Sequence, residues 1–445
     1  MSPAVGRAAG KAAGKAAGQL RRTFSALSVA NFRRFFIGQS ISLVGTWMQS
    51  VAQSWLVYSL TRSSTALGLV VAIQTLPVLL IGPYAGVIAD RTDKRRLTVV
   101  LQTMMGVQAL VLGILTVVHV VKFWEICLLA LALGLNNTFE NPARQSFVLE
   151  MVGSDNLRNA VSLNSTMVNA ARAVGPAVAG LTIAVAGAGV CFLINAVSFA
   201  AVVYSLTSMD KVALHRSPPA GRKKGQLRDG FRYVAHEPTL GVTLLMMGLV
   251  GALAYEFQVS LPVVAKQTFH GGPETYGFLT AAMGAGAVLG GLFTATRGKT
   301  GLRPLSIAAL MFGVAVLLAS VSPVLALAYG AMALVGWGSV SFMATGNSTL
   351  QLNSDPSMRG RVMALWAVAF LGSTPVGGPL IGWVISATNA RIGLGVGGVS
   401  ALIASAFGFA VARRLRAART RRAAAEGLGS PPAPVELSLA PTEAL

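Results

Sequence analysis

Two charged residues stand deep inside long apolar runs of this 445-residue chain, Glu256 and Arg172. A charge at the centre of a bilayer costs about 2.5–3.5 kcal/mol on insertion scales. Side chains kept at that cost are candidates for chemistry. Glu256 is the only acidic residue well within such a run. A carboxyl group there can hold a proton when shut away from water and release it when wetted. Counted from Pro238 at 1.5 Å per residue, it lies roughly 25 Å along its helix. Arg172 sits just before Gly175-Pro176. The proline removes a backbone hydrogen bond and can bend the helix, so Arg172 reads as structural.

A third pattern closes an apolar run. In "GPYAGVIADRTDKRR", residues 82–96, a lone carboxylate, Asp90, is followed by Arg91, Asp93, Lys94, Arg95 and Arg96. Gly86 lets another helix approach closely. Asp90 is placed to meet a positive helix N-terminus or a facing arginine. A carboxylate tied to such a cluster can latch two helix bundles on one face and release as they rock apart.

These groups need helices in lipid to position them. Hydrophobic types make up 53% of the chain and charged types only 11%, against about 25% charged in a soluble protein. Windows of about 20 nearly uncharged residues recur, each long enough to cross a bilayer as a helix. They do not alternate, which excludes a β-barrel. Twelve spans are predicted, at 35–58, 66–89, 97–119, 123–140, 158–184, 187–207, 239–265, 274–296, 302–321, 324–350, 361–387 and 392–412. The chain thus reads as an all-α membrane protein of two six-helix bundles, 35–208 and 239–414. A disordered basic arm (1–34) precedes them, a linker (209–238) joins them and a disordered tail (415–445) follows. Within the linker, "QLRDGFRYVAH" fits a short amphipathic helix on the membrane surface.

The net charge of +21 invites a nucleic-acid reading, but its distribution excludes one. With the N-terminus inside, 31 of 36 Lys and Arg are cytoplasmic, four are outside and Arg172 is within a span. That bias marks a plasma-membrane protein with both termini cytoplasmic, whose basic ends touch anionic lipid. Cys127 and Cys191 have no metal or disulfide spacing. Neither metal nor cofactor is called for, and no Gly-x-x-x-x-Gly-Lys-Ser/Thr loop for a nucleotide is present.

The halves echo each other. Gly68 and Gly82 recur as Gly277 and Gly291 at a shift of 209, and Gly175-Pro176 recurs as Gly378-Pro379 at 203. Parallel six-helix repeats of this kind build one large class of carriers.

On these residues the chain resembles the major facilitator superfamily, whose loop signature is Gly-x-x-x-Asp-Arg-x-Gly-Arg-Arg. Gly86, Asp90, Arg91, Lys94 and Arg95 match; Asp93 replaces a glycine and tolerates the left-handed turn better than most residues. The second-half copy keeps Gly291 but has Lys299 in place of the aspartate. "AARAVGPAVAG" is similar to the exporters' fifth-span signature through Gly175, Pro176 and Gly180, with Ser162, Ala171 and Ala179 as small substitutes. "ENPARQSFVLEMVGSDNLRNAVSLNS", residues 140–165, reads as the loop between spans four and five. It resembles that of enterobactin-type siderophore exporters and macrolide efflux proteins. Arg144, Glu150 and Asp155 there are candidates for the Asp90 network.

The resemblance implies that spans one, four, seven and ten line a path. Their polar and aromatic candidates are Gln49, Gln53, Trp55, Asn136, Asn137, Glu140, Tyr255, Trp337 and Asn347. For any single Gln or Asn, tying helix to helix is an equal reading. A wall so apolar suits a large amphipathic molecule better than a sugar. The expectation is a monomeric exporter of a drug or siderophore-like small molecule, with the proton as coupling ion and no enzyme activity. An importer of the same fold and a non-transporting scaffold are the alternatives.

Overall fold

Lipid leaves a backbone no partner but itself, so each apolar run closes its own hydrogen bonds as a helix. In the computed structural model, which describes residues 24–215, 226–298, 300–356 and 358–425, every regular element is helical. Ten helical runs among the described residues are long and apolar enough to cross a membrane. One of them, Phe123–Ala186, has 64 residues and would stretch about 96 Å if straight. It is two crossings. Gly153 breaks it with φ 69 and ψ −179, a region closed to other residues. Arg144 then reaches Asn164 on the returning arm, 3.5 Å away. With the first helix, Ala30–Thr61, the described residues make twelve spans. The chain is a multi-pass membrane protein.

Several boundaries differ from the sequence expectation. The first helix starts at Ala30 because Phe32 and Phe35 are buried against Phe147 and Met151. The 140–165 stretch is helical on both sides of Gly153 rather than a loop, since those apolar residues have a partner surface. Gln226–His236 is helical as expected, and its Gly230 lies against Arg361 of span eleven. The last helix runs on to Ala425. Residues 1–23 of the predicted arm, 216–225 of the linker and 426–445 of the tail lie outside the described residues.

The repeat is visible in the packing. In the first half, Gly134 of span four sits against the carbonyl of Gln74 in span two. In the second, Gly336 of span ten sits against the carbonyl of Met283 in span eight. Gln74 and Met283 are 209 residues apart, the shift that relates Gly68 to Gly277.

Between the halves the matched glycines exchange partners. Gly68 of span two abuts the backbone of Gly378-Pro379 in span eleven, and Gly277 of span eight abuts Pro176 and Gly180 in span five. Gly382 meets Ser64, whose hydroxyl donates to the Gly382 carbonyl at 2.8 Å. Trp55 of span one stacks on Tyr276 of span eight at 6.5 Å. All these contacts lie at the end of the bundle opposite the termini. The seam reaches inward as far as Gly284 on Arg172 and Gly372 on Leu79. Among the described residues no packed interface joins spans four and ten. The halves therefore meet at one end and leave a cleft toward the termini.

Candidate functional site

Span seven is two helices, Pro238–Ala254 and Phe257–Val263, with Tyr255 and Glu256 at the break. Glu256 is 4% exposed. Thr374, which opens the outer segment of span eleven (Thr374–Ala387), lies close to its carboxylate. Its Oε1 has no hydrogen-bond partner among the described residues, and Oε2 lies 3.5 Å from where a Cβ on Gly378 would stand. The carboxylate therefore sits directly behind the Gly68–Gly378 contact. No Lys, Arg or His among the described residues comes within ion-pair distance of it.

Tyr255 turns the other way. Its hydroxyl donates to the Ser339 carbonyl of span ten at 2.7 Å, and its ring meets Phe370 edge-on at 5.1 Å. It lies in electrostatic range of Arg172 from the other half. The Arg172 guanidinium is stacked over Trp47 of span one, 5.2 Å from the ring centroid. Counting helix positions could have found Trp47. It lies as far from Thr61 as Arg172 lies from Ala186, so the two share a depth. Thr374, Ser54 and Tyr276 were likewise not singled out from sequence. Tyr276 lies close to Ser54 across the seam.

The basic cluster at the termini end is divided among several partners. Lys94 Nζ pairs with Glu150 at 2.6 Å, with both side chains under 10% exposed. Arg95 donates to the carbonyls of Leu206 and Thr207, the free C-terminal carbonyls of span six. Arg144 pairs with Glu140 at 2.9 Å, not with Glu150, and Gln102 donates to the same oxygen at 3.1 Å. Glu140 thereby ties spans three and four together. All these partners belong to the first half. Asp93 is not left-handed: at φ −62 it caps span three, accepting from Arg96 N at 2.9 Å. Arg91 is exposed and Asp155 accepts from Ser154. The surroundings of Gly86, the side chain of Asp90, and Lys299 lie outside the described residues.

Two expected path residues are spent inside the first half. Gln49 accepts from Asn195 at 2.6 Å and donates to Gln108 at 2.9 Å, tying spans one, three and six. Gln53 donates to Gln74 at 3.0 Å. Trp55 lies in the seam. Asn136 Oδ1 and Trp337 Nε1 are buried without a partner among the described residues, and Asn347 accepts from Gln351. Asn137, half-buried, accepts through its carbonyl from Asn141. A separate, almost wholly apolar cavity of about 560 Å³ lies between spans seven, nine and twelve, with Arg391 at its rim.

The comparisons agree with this architecture. The family described as Transmembrane secretion effector matches residues 21–442. The staphyloferrin A transporter of Staphylococcus aureus is 28% identical over 263 residues, 57% of this chain and 64% of that protein. The enterobactin exporter EntS of Escherichia coli is 25% identical over 388 residues, 84% of this chain and 91% of that one. Among solved structures, a bacterial homologue of the human lysosomal transporter Spinster, inward-facing and unoccupied, superposes with a TM-score of 0.69 at 14% identity, covering 86% of this chain and 96% of its own. A bacterial homologue of the iron transporter ferroportin, inward-facing, gives 0.68 at 14%, covering 85% and 98%. With its repeated six-helix halves, its glycine seam and a family match over nearly its whole length, this chain belongs to the transmembrane secretion effectors of the major facilitator superfamily, a family of membrane transporters.

Proposed function

We propose that this carrier exports an amphipathic small molecule from the cytoplasm in exchange for protons, by alternating access. The observation that carries the reading is Glu256: a carboxylate without a counter-ion, at the break of a helix, behind the glycine contact that shuts one end of the bundle. The distribution of Lys and Arg supports cytoplasmic termini, so the cleft opens to the cytoplasm and the seam faces outward. Substrate enters the cleft from inside. As the halves rock, the seam parts, substrate leaves, and Glu256 meets outside water and takes a proton. Re-closure carries that proton inward. At 100 mV one charge moved is worth about 2.3 kcal/mol, enough for roughly a fifty-fold gradient. The relatives' names, a staphyloferrin A transporter and an enterobactin exporter, favour a siderophore-like substrate. The basic cluster is the inner latch: Asp90 would engage the other half when the cytoplasmic end closes, against the N-terminus of span eleven at Arg359.

Purified protein in liposomes with an imposed pH step tests this. Glu256→Gln should abolish proton-driven flux while substrate exchange persists, because the amide is permanently neutral. Proton-driven flux at the wild-type rate in that variant would remove Glu256 from the mechanism.

A further inference from the structure

Arg172 is a cation without an anion. Among the described residues no carboxylate lies within 4 Å of it, no group accepts a hydrogen bond from it, and its Nε is buried. Leaving a charge unpaired inside a protein is strongly unfavourable. The Trp47 ring returns only part of that cost through cation–π attraction. Glu256, on span seven, makes no ion pair with Arg172 among the described residues. A purely structural arginine would spend its five donors on carbonyls, as Arg95 does on Leu206 and Thr207.

Its place explains why the donors are kept. Arg172 touches span eight through Gly284. Trp47 lies over it and Tyr255 lies in electrostatic range, on the seam side of the cleft toward the termini. It is the ceiling of the cleft. The Trp47 ring covers one side of the guanidinium at 5.2 Å and leaves its N–H edge without a partner among the described residues. That edge is a planar fork of N–H donors, which fits the two oxygens of a carboxylate. The aromatic rings at the same depth offer surface to an apolar body joined to that anion.

We propose that Arg172, held against Trp47, is the substrate-binding cation of this carrier, and that its substrates are amphipathic carboxylate-type anions whose apolar part lies against Trp47 and Tyr255. The proposal rests on the transport reading above and names its substrate class. Binding without a gradient tests it separately from transport. The full-length protein in nanodiscs is dialysed to equilibrium against 1-naphthoate or its neutral isostere 1-naphthamide, with empty nanodiscs subtracted.

Wild type should prefer the anion by at least about tenfold. Arg172→Gln should weaken 1-naphthoate about 30-fold, the size of a charge-assisted hydrogen-bond pair, and leave 1-naphthamide within about twofold. Arg172→Lys should keep part of the preference, since the charge stays while the fork and its stacking go. Equal wild-type affinities, or no 1-naphthoate binding up to millimolar concentration, overturn the proposal even if the Gln variant does not fold. So does a Gln variant in which both probes weaken equally, which would reduce Arg172 to a packing role. A carrier that binds the anion selectively but shows no proton-driven flux sustains this assignment and refutes the coupling scheme alone.

Discussion

Replacing Gly277 with alanine should drive the two halves apart at the outer seam. The added Cβ would stand 2.7 Å from Gly180 Cα and 2.9 Å from Gly180 N, and would also meet the Pro176 carbonyl. Backbone atoms of packed helices cannot swing aside as a flexible side chain can. Ordinary contact begins near 3.4 Å, so span eight must withdraw from span five by most of an ångström. Overpacking of this kind costs about 1–3 kcal/mol. A mid-range 2 kcal/mol, felt only when the seam is shut, shifts the closed-to-open ratio about 30-fold. Gly68→Ala presses on Gly378 and Pro379 at the pseudo-symmetric contact and should shift it by a similar factor. The two contacts are separate, so the double variant should show the product of the two effects.

Spin labels at Arg62 and Thr388, exposed positions on opposite halves at the seam end, report the separation. Each single variant should add a longer-distance population, and the double variant should make it dominant. Gly330→Ala is the control, because nothing lies within 4 Å of its Cβ position. Distance distributions for Gly277→Ala and Gly68→Ala that match wild type would refute the claim that these glycines set the closed state.

The Lys94–Glu150 pair is buried; Lys94→Met or Glu150→Leu alone should lose about 3–5 kcal/mol of stability and the double variant should recover most of it, as read by thermal unfolding in detergent. A double variant less stable than either single would show that the pair is not coupled. Asp90→Asn should leave the protein inserted and cut transport sharply, with fewer cysteine cross-links across the cytoplasmic end; unchanged flux would reduce the loop to a topology signal. In a background without Cys127 and Cys191, an impermeant thiol reagent on intact cells should label Val120→Cys and spare Val212→Cys, both exposed positions. The opposite pattern would invert the topology.

The features legible in the sequence were those that depend on count and spacing. Charge-free length set the crossings, and the 209-residue shift placed Gly68 and Gly277 before any contact was known. What those glycines touch was not legible, because a shift relates equivalent positions and does not say which partner each takes. The direction a side chain faces was also hidden. Spans that are apolar all round carry little amphipathic stripe, so Gln49 gave no sign that it turns to Asn195 and Gln108 instead of the cleft. The 140–165 stretch misled through its charges. Glu150 reads as solvated until Lys94, 56 residues earlier, neutralises it inside a packed helix. Gly153 alone performs the turn that the whole stretch was expected to supply.

The break in span seven links the two charged residues of the apolar spans, Glu256 and Arg172. In a continuous helix, neighbouring residues point about 100° apart around one axis. At the break, Tyr255 (φ −97, ψ 7) and Glu256 (φ −82, ψ 43) leave that geometry. Tyr255 then packs on Phe370 and faces Arg172 at the ceiling of the cleft, while Glu256 lies behind Gly378 in the seam. On the proposed mechanism, one short unwound step joins the place where substrate binds to the place where a proton is held. Neither residue can move far without the other, because Phe257 N hydrogen-bonds back to the Tyr255 carbonyl at 2.9 Å and fixes the turn. An anion settling against Arg172 presses on Tyr255 from the cleft side; water entering the opened seam reaches Glu256 from the other. The coupling then requires no long relay, only that the seam and the ceiling are two faces of the same turn.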